Sequence, residues 1–197
     1  MEPLQLGSAF QLLFGDRPYV IQMKEVESAS PSTQEPSPSV VRSREKALVQ
    51  SVKKQVGQEL QILLQSGDFP PSKIWMSASH TRNEKGHWVI VLGSDHPVGI
   101  DVEAEHREVH PRLEQKILSE EERSLELMPL EAWVIKEAAF KAQRQNEGTV
   151  LSQYRILSWD RSQDKMTGLG KIRTPSGKMT RFQLLNREGW LIAVAHS

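Results

Sequence analysis

Residues 87–103, HWVIVLGSDHPVGIDVE, contain two apolar runs joined by the polar turn SDHP. Short apolar runs bounded by turn residues predict two β-strands. A further run, KIWMSASH at residues 73–80, precedes them across the polar loop TRNEKG. Three strands with short connections predict an antiparallel meander, in which one face packs on the core and the other can meet a ligand.

The last of these strands carries two carboxylates, Asp101 and Glu103, two residues apart. Because successive strand residues point to opposite faces, both lie on one side, about 7 Å apart, while Ile100 and Val102 lie on the other. Carboxylates this close repel each other unless a cation offsets their charge. Mg²⁺ commonly takes one or two carboxylates and keeps coordination places for substrate phosphates. The pair alone is equally compatible with ordinary acids on a solvated strand.

The sequence before this stretch predicts a strand pair, a loop and a helix. Residues 8–23 read as two short strands around a turn, and the Ser/Pro stretch at 28–40 predicts a mobile loop. A helix follows from Ser43, its expected N-cap, to Gly67. Its apolar residues recur at helical spacing: Leu48, Val52, Val56, Leu60 and Leu63 or Leu64.

The sequence after residue 103 predicts helices and then strands. Residues 112–126 predict a charged helix, and a second helix begins after Pro129 and ends near Gly148. Four more strands are expected in QYRILSWD, MTGLGKIRT, KMTRFQLL and WLIAVAH. This order of elements predicts an α+β fold.

Composition restricts the classes of function. Lys plus Arg equals Asp plus Glu at 25 each, so the bulk charge indicates neither a nucleic-acid partner nor an anionic membrane. The chain has no cysteine, which excludes disulfides, thiolate nucleophiles and cysteine metal sites. The N-terminal apolar run is short and Glu2 stands where a signal peptide would carry Lys or Arg, so we expect a cytoplasmic protein.

One face of the second helix carries Trp133, Glu137 and Lys141, four residues apart. Glu137 and Lys141 could form an ordinary helical ion pair, or join the strand carboxylates in a magnesium and phosphate site. His106 and His110 have the spacing of two zinc ligands on a helix, but Pro111 disfavours helical geometry there. A zinc site is therefore not expected.

Three segments together resemble a known family. VGIDVE at 98–103, WVIKEAAFKA at 133–142 and SASHT at 77–81 are similar, in order and spacing, to the paired signature and Ser-His element of the 4'-phosphopantetheinyl transferases. The chain most resembles the single-chain, surfactin-synthetase-activating type. That resemblance implies two pseudo-symmetric halves, each an antiparallel sheet packed on a long helix, with the active site in the cleft between them. The halves would be residues 1–95 and 96–197, in a monomer.

The resemblance also implies an activity: transfer of the phosphopantetheine arm of coenzyme A to a serine of an apo acyl or peptidyl carrier protein, with Mg²⁺. Asp101, Glu103 and Glu137 would bind the metal, and Glu137 would also act as the general base. Phosphate contacts would come from Lys136 and Lys141, with Lys141 stabilising the leaving phosphate. Coenzyme A would be bound further by Ser79, His80, Arg44 and Lys46.

Two alternatives remain open from the residues alone. One is a non-catalytic relative that binds a carrier protein or coenzyme A, and the other is a Mg²⁺-dependent phosphodiesterase or nuclease. For the carrier, we expect a docking surface in segment 107–128, in contact through Leu113, Ile117 and Leu118 rather than through the acids at 120–122.

Overall fold

The apolar runs of the sequence become the strands of two antiparallel sheets. The structure is a computed structural model that describes residues 9–14, 17–26, 38–65, 73–83, 86–143, 150–163, 167–187 and 189–196. Its elements are β1 Ala9–Phe14, β2 Arg17–Val26, α1 Pro38–Gln65, β3 Trp75–Asn83, β4 Gly86–Ser94, β5 Val98–Ala104, α2 Pro111–Ile117, α3 Glu120–Arg123, α4 Pro129–Ala142, β6 Arg155–Arg161, β7 Thr167–Arg173, β8 Met179–Arg187 and β9 Trp190–His196. This content confirms the α+β class.

The sheets and helices stack in layers because strand residues alternate between two apolar faces. One sheet has the order β1-β2-β4-β3 and the other β5-β9-β8-β7-β6. The expected three-strand meander is therefore wrong, because β3 pairs with β4 whereas β5 pairs with β9 in the other sheet. On β4, Val89 and Val91 pack against α1, whereas Ile90 and Leu92 pack against the five-stranded sheet. The outer face of the five-stranded sheet packs on α4. The order of layers is α1, four-stranded sheet, five-stranded sheet, α4.

Two boundaries differ from those expected in the first half of the chain. Helix α1 begins at Pro38, so Ser43 is not its N-cap and residues 38–40 are helical rather than loop. Proline suits a first helical position, because its missing N–H would have no partner there in any case. The rest of the predicted loop, 28–37, lies outside the described residues. Strand β3 continues to Asn83, through half of the expected TRNEKG loop.

The single helix expected at 112–126 is two short ones, α2 and α3. Leu118 is extended between them, and Ser119 begins α3 with a capping box in which its hydroxyl accepts from the Glu122 N–H and Glu122 accepts from the Ser119 N–H. Helix α4 ends at Ala142 rather than near Gly148, and Gln143 is extended. None of the helices in the described ranges is long and apolar enough to cross a membrane.

Two of the three proposed contact residues of segment 107–128 are not available to a partner. Ile117 and Leu118 are 2% and 6% exposed and pack in the core beneath α4, with Leu113 partly buried against them. The prediction that a carrier docks through these side chains is therefore wrong. Their helical spacing indicated an apolar face correctly, but that face points into the protein.

Candidate active site

Close packing of α4 on β5 brings the two motifs together. A Cβ added at Gly99 would lie 2.0 Å from the Ala138 carbonyl oxygen and 2.5 Å from the Ala142 amide nitrogen. Only glycine lets the helix approach the strand this closely. The approach sets Glu137 and Lys141 of α4 beside the carboxylates that follow Gly99 on β5.

A row of hydroxyls on β3 faces the free edge of β5. Ser77, Ser79 and Thr81 alternate along the strand and so point to the same side. The Ser77 hydroxyl accepts a hydrogen bond of 3.0 Å from the backbone N–H of Ile100. Ser77 thus satisfies one backbone N–H on the edge of the five-stranded sheet, where a neighbouring strand would otherwise pair.

The same row fixes both strand carboxylates. Ser79 donates to Asp101 Oδ1 at 2.6 Å, and Thr81 donates to Glu103 Oε2 at 2.8 Å. The other Glu103 oxygen accepts from the Arg107 guanidinium. Asp101 and Glu103 point the same way, as the alternation predicted, but they are only 5% and 6% exposed rather than on an open strand face.

Asp101 is the centre of the cluster. Its Oδ1 also accepts from Lys141 Nζ at 2.6 Å, and the same ammonium donates to Ser79 Oγ at 3.0 Å. Its Oδ2 is buried and has no hydrogen-bond partner among the residues that the structure describes. A buried carboxylate oxygen without a donor is costly, so this atom marks a place where a bound group would be stabilised.

Glu137 lies half-buried among like charges. Burial raises the pKa of its carboxyl above the ordinary value, and the negative charges of Asp101 and Glu103 raise it further, against the opposing effect of Lys141. A carboxyl with a raised pKa is a better proton acceptor when ionised than an exposed glutamate. The structure therefore places Glu137 close enough to Asp101 and Glu103 for their charges to interact.

Lys53 of α1 approaches the cluster from the other side of β3. Its Nζ lies 3.1 Å from His80 Nδ1. The pKa of Lys53 is lowered by burial and then by the nearby charge of Lys141, while Asp101 acts in the opposite direction. Ser79 and His80 are successive strand residues, so their side chains leave opposite faces and do not meet directly.

Lys136 does not belong to this cluster. Its side chain is fully buried, and its ammonium donates to Glu122 at 2.8 Å and to the Ile117 carbonyl. The Ser119 and Ile156 amides donate to the same Glu122 carboxylate. An enclosed ammonium cannot reach a bound phosphate, so the predicted phosphate contact of Lys136 is contradicted. Burial also lowers the pKa of Lys136, with Glu122 opposing that shift.

Of the two expected coenzyme A ligands on α1, Lys46 is exposed, and the Arg44 side chain lies outside those described. His110 caps α2, with Nδ1 accepting from the Arg112 N–H, which leaves it no geometry for a helical zinc pair. Across the described ranges, no three His, Asp or Glu side chains are close enough to hold a metal ion as they stand.

Several contributing residues were not chosen from the sequence. Lys53 is one of five basic residues on α1, and only its place in the fold distinguishes it from Lys46. Thr81 is the last residue of SASHT and lies two residues after Ser79, so strand alternation could have identified it. Nothing in the sequence indicated that Arg107 would contact Glu103.

Comparison with known proteins supports the two motifs. A family model described as the 4'-phosphopantetheinyl transferase superfamily matches residues 97–195, just over half of the 197-residue chain. The matched range contains β5, α4 and the five-stranded sheet up to residue 195 of β9. No match was found among curated proteins. On the extent of that family match, the chain belongs to the 4'-phosphopantetheinyl transferase superfamily.

Proposed function

We propose that this chain transfers the 4'-phosphopantetheine arm of coenzyme A to a serine hydroxyl of an apo carrier protein. The observation that supports this best is the meeting of the two signature segments: Asp101 and Glu103 of β5 share one neighbourhood with Glu137 and Lys141 of α4. Acids and an ammonium in one half-enclosed site fit a reaction at a pyrophosphate, where charge moves onto a leaving phosphate.

In the reaction, the carrier serine oxygen attacks the β-phosphorus of the coenzyme A pyrophosphate. A new phosphorus–oxygen bond forms, the bond to 3',5'-ADP breaks, and the serine proton must go to a base. We assign that base to Glu137, directly or through a water, because its half-buried carboxyl lies among the acids of β5. No covalent intermediate on the protein is required.

Cations approach the same point from two elements. Lys141 of α4 bridges Asp101 and Ser79, and Lys53 of α1 lies beside His80 within electrostatic reach of Lys141. Two ammonium groups near each other repel, and a bound anion relieves that repulsion. We assign Lys141 to the leaving phosphate and Lys53 with His80 to the remaining phosphate charge.

Carboxylates are the ligand type that Mg²⁺ prefers, although the three acids are not close enough to share an ion as they stand among the described residues. Their charges interact, and Asp101 Oδ2 is buried without a hydrogen-bond partner in the described part of the chain. We propose that Asp101, Glu103 and Glu137 hold the ion. When bound, Mg²⁺ would neutralise phosphate charge and would lower the pKa of Glu137. Lys141 and Arg107 now contact two of these acids, so their side chains would have to adjust.

Further features follow from the proposed single-chain, surfactin-synthetase-activating type. The site lies where β3 of one sheet meets β5 of the other, so one chain supplies every residue named above. We therefore propose a monomer with pseudo-symmetric halves, acting in the cytoplasm on carriers of fatty-acid, polyketide or nonribosomal-peptide type. Size-exclusion chromatography with light scattering tests the monomer, and a dimer mass would contradict it.

The decisive experiment is the intact mass of an apo carrier protein incubated with this chain, coenzyme A and Mg²⁺. The carrier should gain one phosphopantetheine, and chelation of the metal should abolish the gain. Glu137→Gln should reduce the initial rate by about 100-fold or more, because general-base catalysis supplies about that factor. Glu108→Gln, an exposed glutamate in the loop before α2, is the matched control and should retain the wild-type rate.

Each negative result would favour a different function or a different site. Binding of coenzyme A without mass gain on any of several carriers would favour the non-catalytic relative. Hydrolysis of a phosphodiester substrate, lost in Glu137→Gln, would favour the nuclease alternative. Equal rates for wild type and Glu137→Gln would show that the acid cluster is not where the reaction takes place.

A further inference from the structure

A strongly basic hairpin joins β7 and β8 of the five-stranded sheet. Residues 171–181, KIRTPSGKMTR, contain four cations and no acid, in a chain whose total charge is balanced. They form the end of β7, a turn and the start of β8. The hairpin is closed by the Thr174 and Lys178 backbone pair and by Gly177, whose φ of 86° suits glycine alone.

One face of this hairpin is open. Ile172, Phe182 and their neighbours point toward α4 and form the core. The alternate residues point the other way, and along β9 and β5 that side is covered by the four-stranded sheet. On β7 and the start of β8 the side chains are exposed; we call Leu169, Lys171, Arg173, Met179 and Arg181 the basic hairpin face.

Like charges are paired directly on this face. The register places Lys171 opposite Arg181, and Arg173 opposite Met179. Like charges directly opposite each other in a sheet are unfavourable. No described carboxylate lies within ion-pair distance of these three cations, although Asp160 stands on β6 opposite Leu169. A negatively charged group of a binding partner would therefore stabilise this face.

Apolar side chains accompany the charges. Leu169 and Met179 are 54% and 46% exposed, at opposite ends of the cation group. Methionine and arginine are enriched at protein interfaces, where apolar contact is combined with polar contacts at the rim. The aromatic residues of these strands, Trp159 and Phe182, stack on each other on the opposite face, so they are not available to stack on nucleic-acid bases.

We propose that the basic hairpin face binds an acidic, partly apolar segment of a partner protein. Charge complementarity with Lys171, Arg173 and Arg181 selects carboxylates, and Leu169 and Met179 select apolar side chains among them. A protein is favoured over nucleic acid because the basic area is one hairpin in a neutral chain and carries no aromatic platform. The inference goes beyond the transfer reaction, since this face lies on β7 and β8, which β9 separates from β5.

The test uses the full chain and a fluorescein-labelled peptide of Glu-Glu-Leu-Ser repeats, followed by fluorescence anisotropy at low ionic strength. A peptide of Gln-Gln-Leu-Ser repeats controls for the apolar contribution. Lys171→Glu/Arg181→Glu should weaken binding by at least about tenfold, because two attractions become repulsions. Arg112→Glu/Lys116→Glu on α2 makes the same change of net charge at exposed positions and should bind like the wild type.

In the peptide experiment, three results would overturn the proposal: no binding of the acidic peptide by the wild type, equal loss of binding in the two double variants, or equally tight binding of the glutamine peptide. Duplex DNA and phosphatidylglycerol vesicles serve as competing probes. Tighter binding of either, with loss in the hairpin variant, would reject a protein partner. Activity on carrier proteins is not part of the readout, so failure here is independent of the proposed transfer reaction.

Discussion

Lys136 and Glu137 are adjacent in the sequence and serve different parts of the molecule. Successive helix residues point about 100° apart, so one side chain enters the core while the next faces the carboxylates of β5. Lys136 pairs with Glu122 at 2.8 Å, and Glu137 lies near Asp101. The motif WVIKEAAFK therefore contains both structural and candidate catalytic charged residues. Helix geometry shows which residue has which role, whereas the motif pattern alone does not.

Lys136→Met should destabilise the protein by about 3–5 kcal/mol, because it leaves the buried Glu122 carboxylate without its counter-charge. Chemical denaturation measures the free energy of unfolding. Adding Glu122→Gln should recover at least about 1 kcal/mol, since the charge that lost its partner is also removed. If Lys136→Met instead left stability intact and raised the KM for coenzyme A, the lysine would be a phosphate contact.

Glu137→Gln should stabilise the metal-free protein while it removes activity. The pKa of Glu137 is higher in the folded state than its ordinary value of 4.5, so the folded state holds this proton more tightly than the unfolded state. The free energy of unfolding therefore falls as pH rises from the ordinary pKa to the pKa of the folded state. Glutamine does not titrate, so the variant does not lose this stability. We expect a gain of about 0.5–1 kcal/mol at neutral pH.

Denaturation of both proteins in chelator, at about pH 4 and about pH 8, checks this. The two should be similarly stable at the lower pH, where the wild-type carboxyl is protonated, and should differ at the higher pH. A larger advantage for Glu137→Gln at the acidic end would contradict the sign of the pKa shift.

At the scale of elements, local patterns predicted the strands and misplaced some ends. The S-x-x-E sequence at Ser119 is a capping box, which marks a helix start, and it could have divided the helix expected at 112–126. Strand alternation likewise indicates that Ser79 and His80 face opposite sides. No local pattern predicted that the β3 hydroxyls would meet β5, because that contact joins residues 22 apart in two different sheets.

Gly99→Ala tests how the site depends on the contact between α4 and β5. The new methyl would overlap the Ala138 carbonyl, so the helix must shift, and the overpacking should cost about 1–3 kcal/mol. Displacement of Glu137 and Lys141 by about 1 Å should lower transfer activity by about 100-fold in the folded protein. Carrier mass assays and denaturation measure the two effects.

Gly57→Ala is the matched control for that substitution. In α1 the added methyl would meet only the flexible end of Met76, at 2.8 Å from its Cε, and alanine favours a helix over glycine by up to about 1 kcal/mol. Activity should be unchanged. An active, stable Gly99→Ala protein would show that the close approach of the helix is not required.

For the whole molecule, the core between the sheets decides whether the two parts of the chain act separately. Ile90 and Leu92 of β4 pack with Ile100, Ile192 and Val194 of the five-stranded sheet. The sequence indicated that these residues are apolar and alternate, but which sheet face meets which is a long-range property that periodicity does not encode. The acidic site lies beside this core, so its geometry depends on both sheets being in contact.

Shared burial predicts that the two sheets unfold together. Ile90→Ala, from the four-stranded sheet, and Ile192→Ala, from the five-stranded sheet, each remove a side chain that is at most 1% exposed and should each cost about 2–5 kcal/mol. Both should lower one common midpoint, followed by far-UV circular dichroism and by fluorescence of the Trp88–Trp190 pair, whose rings lie 5.6 Å apart across the sheets. If Ile90→Ala instead gave two transitions, circular dichroism and fluorescence would change at different denaturant concentrations. The sheets would then be separate folding units. The acidic site would then be assembled only when they dock, and coenzyme A should shift the earlier transition toward the later one.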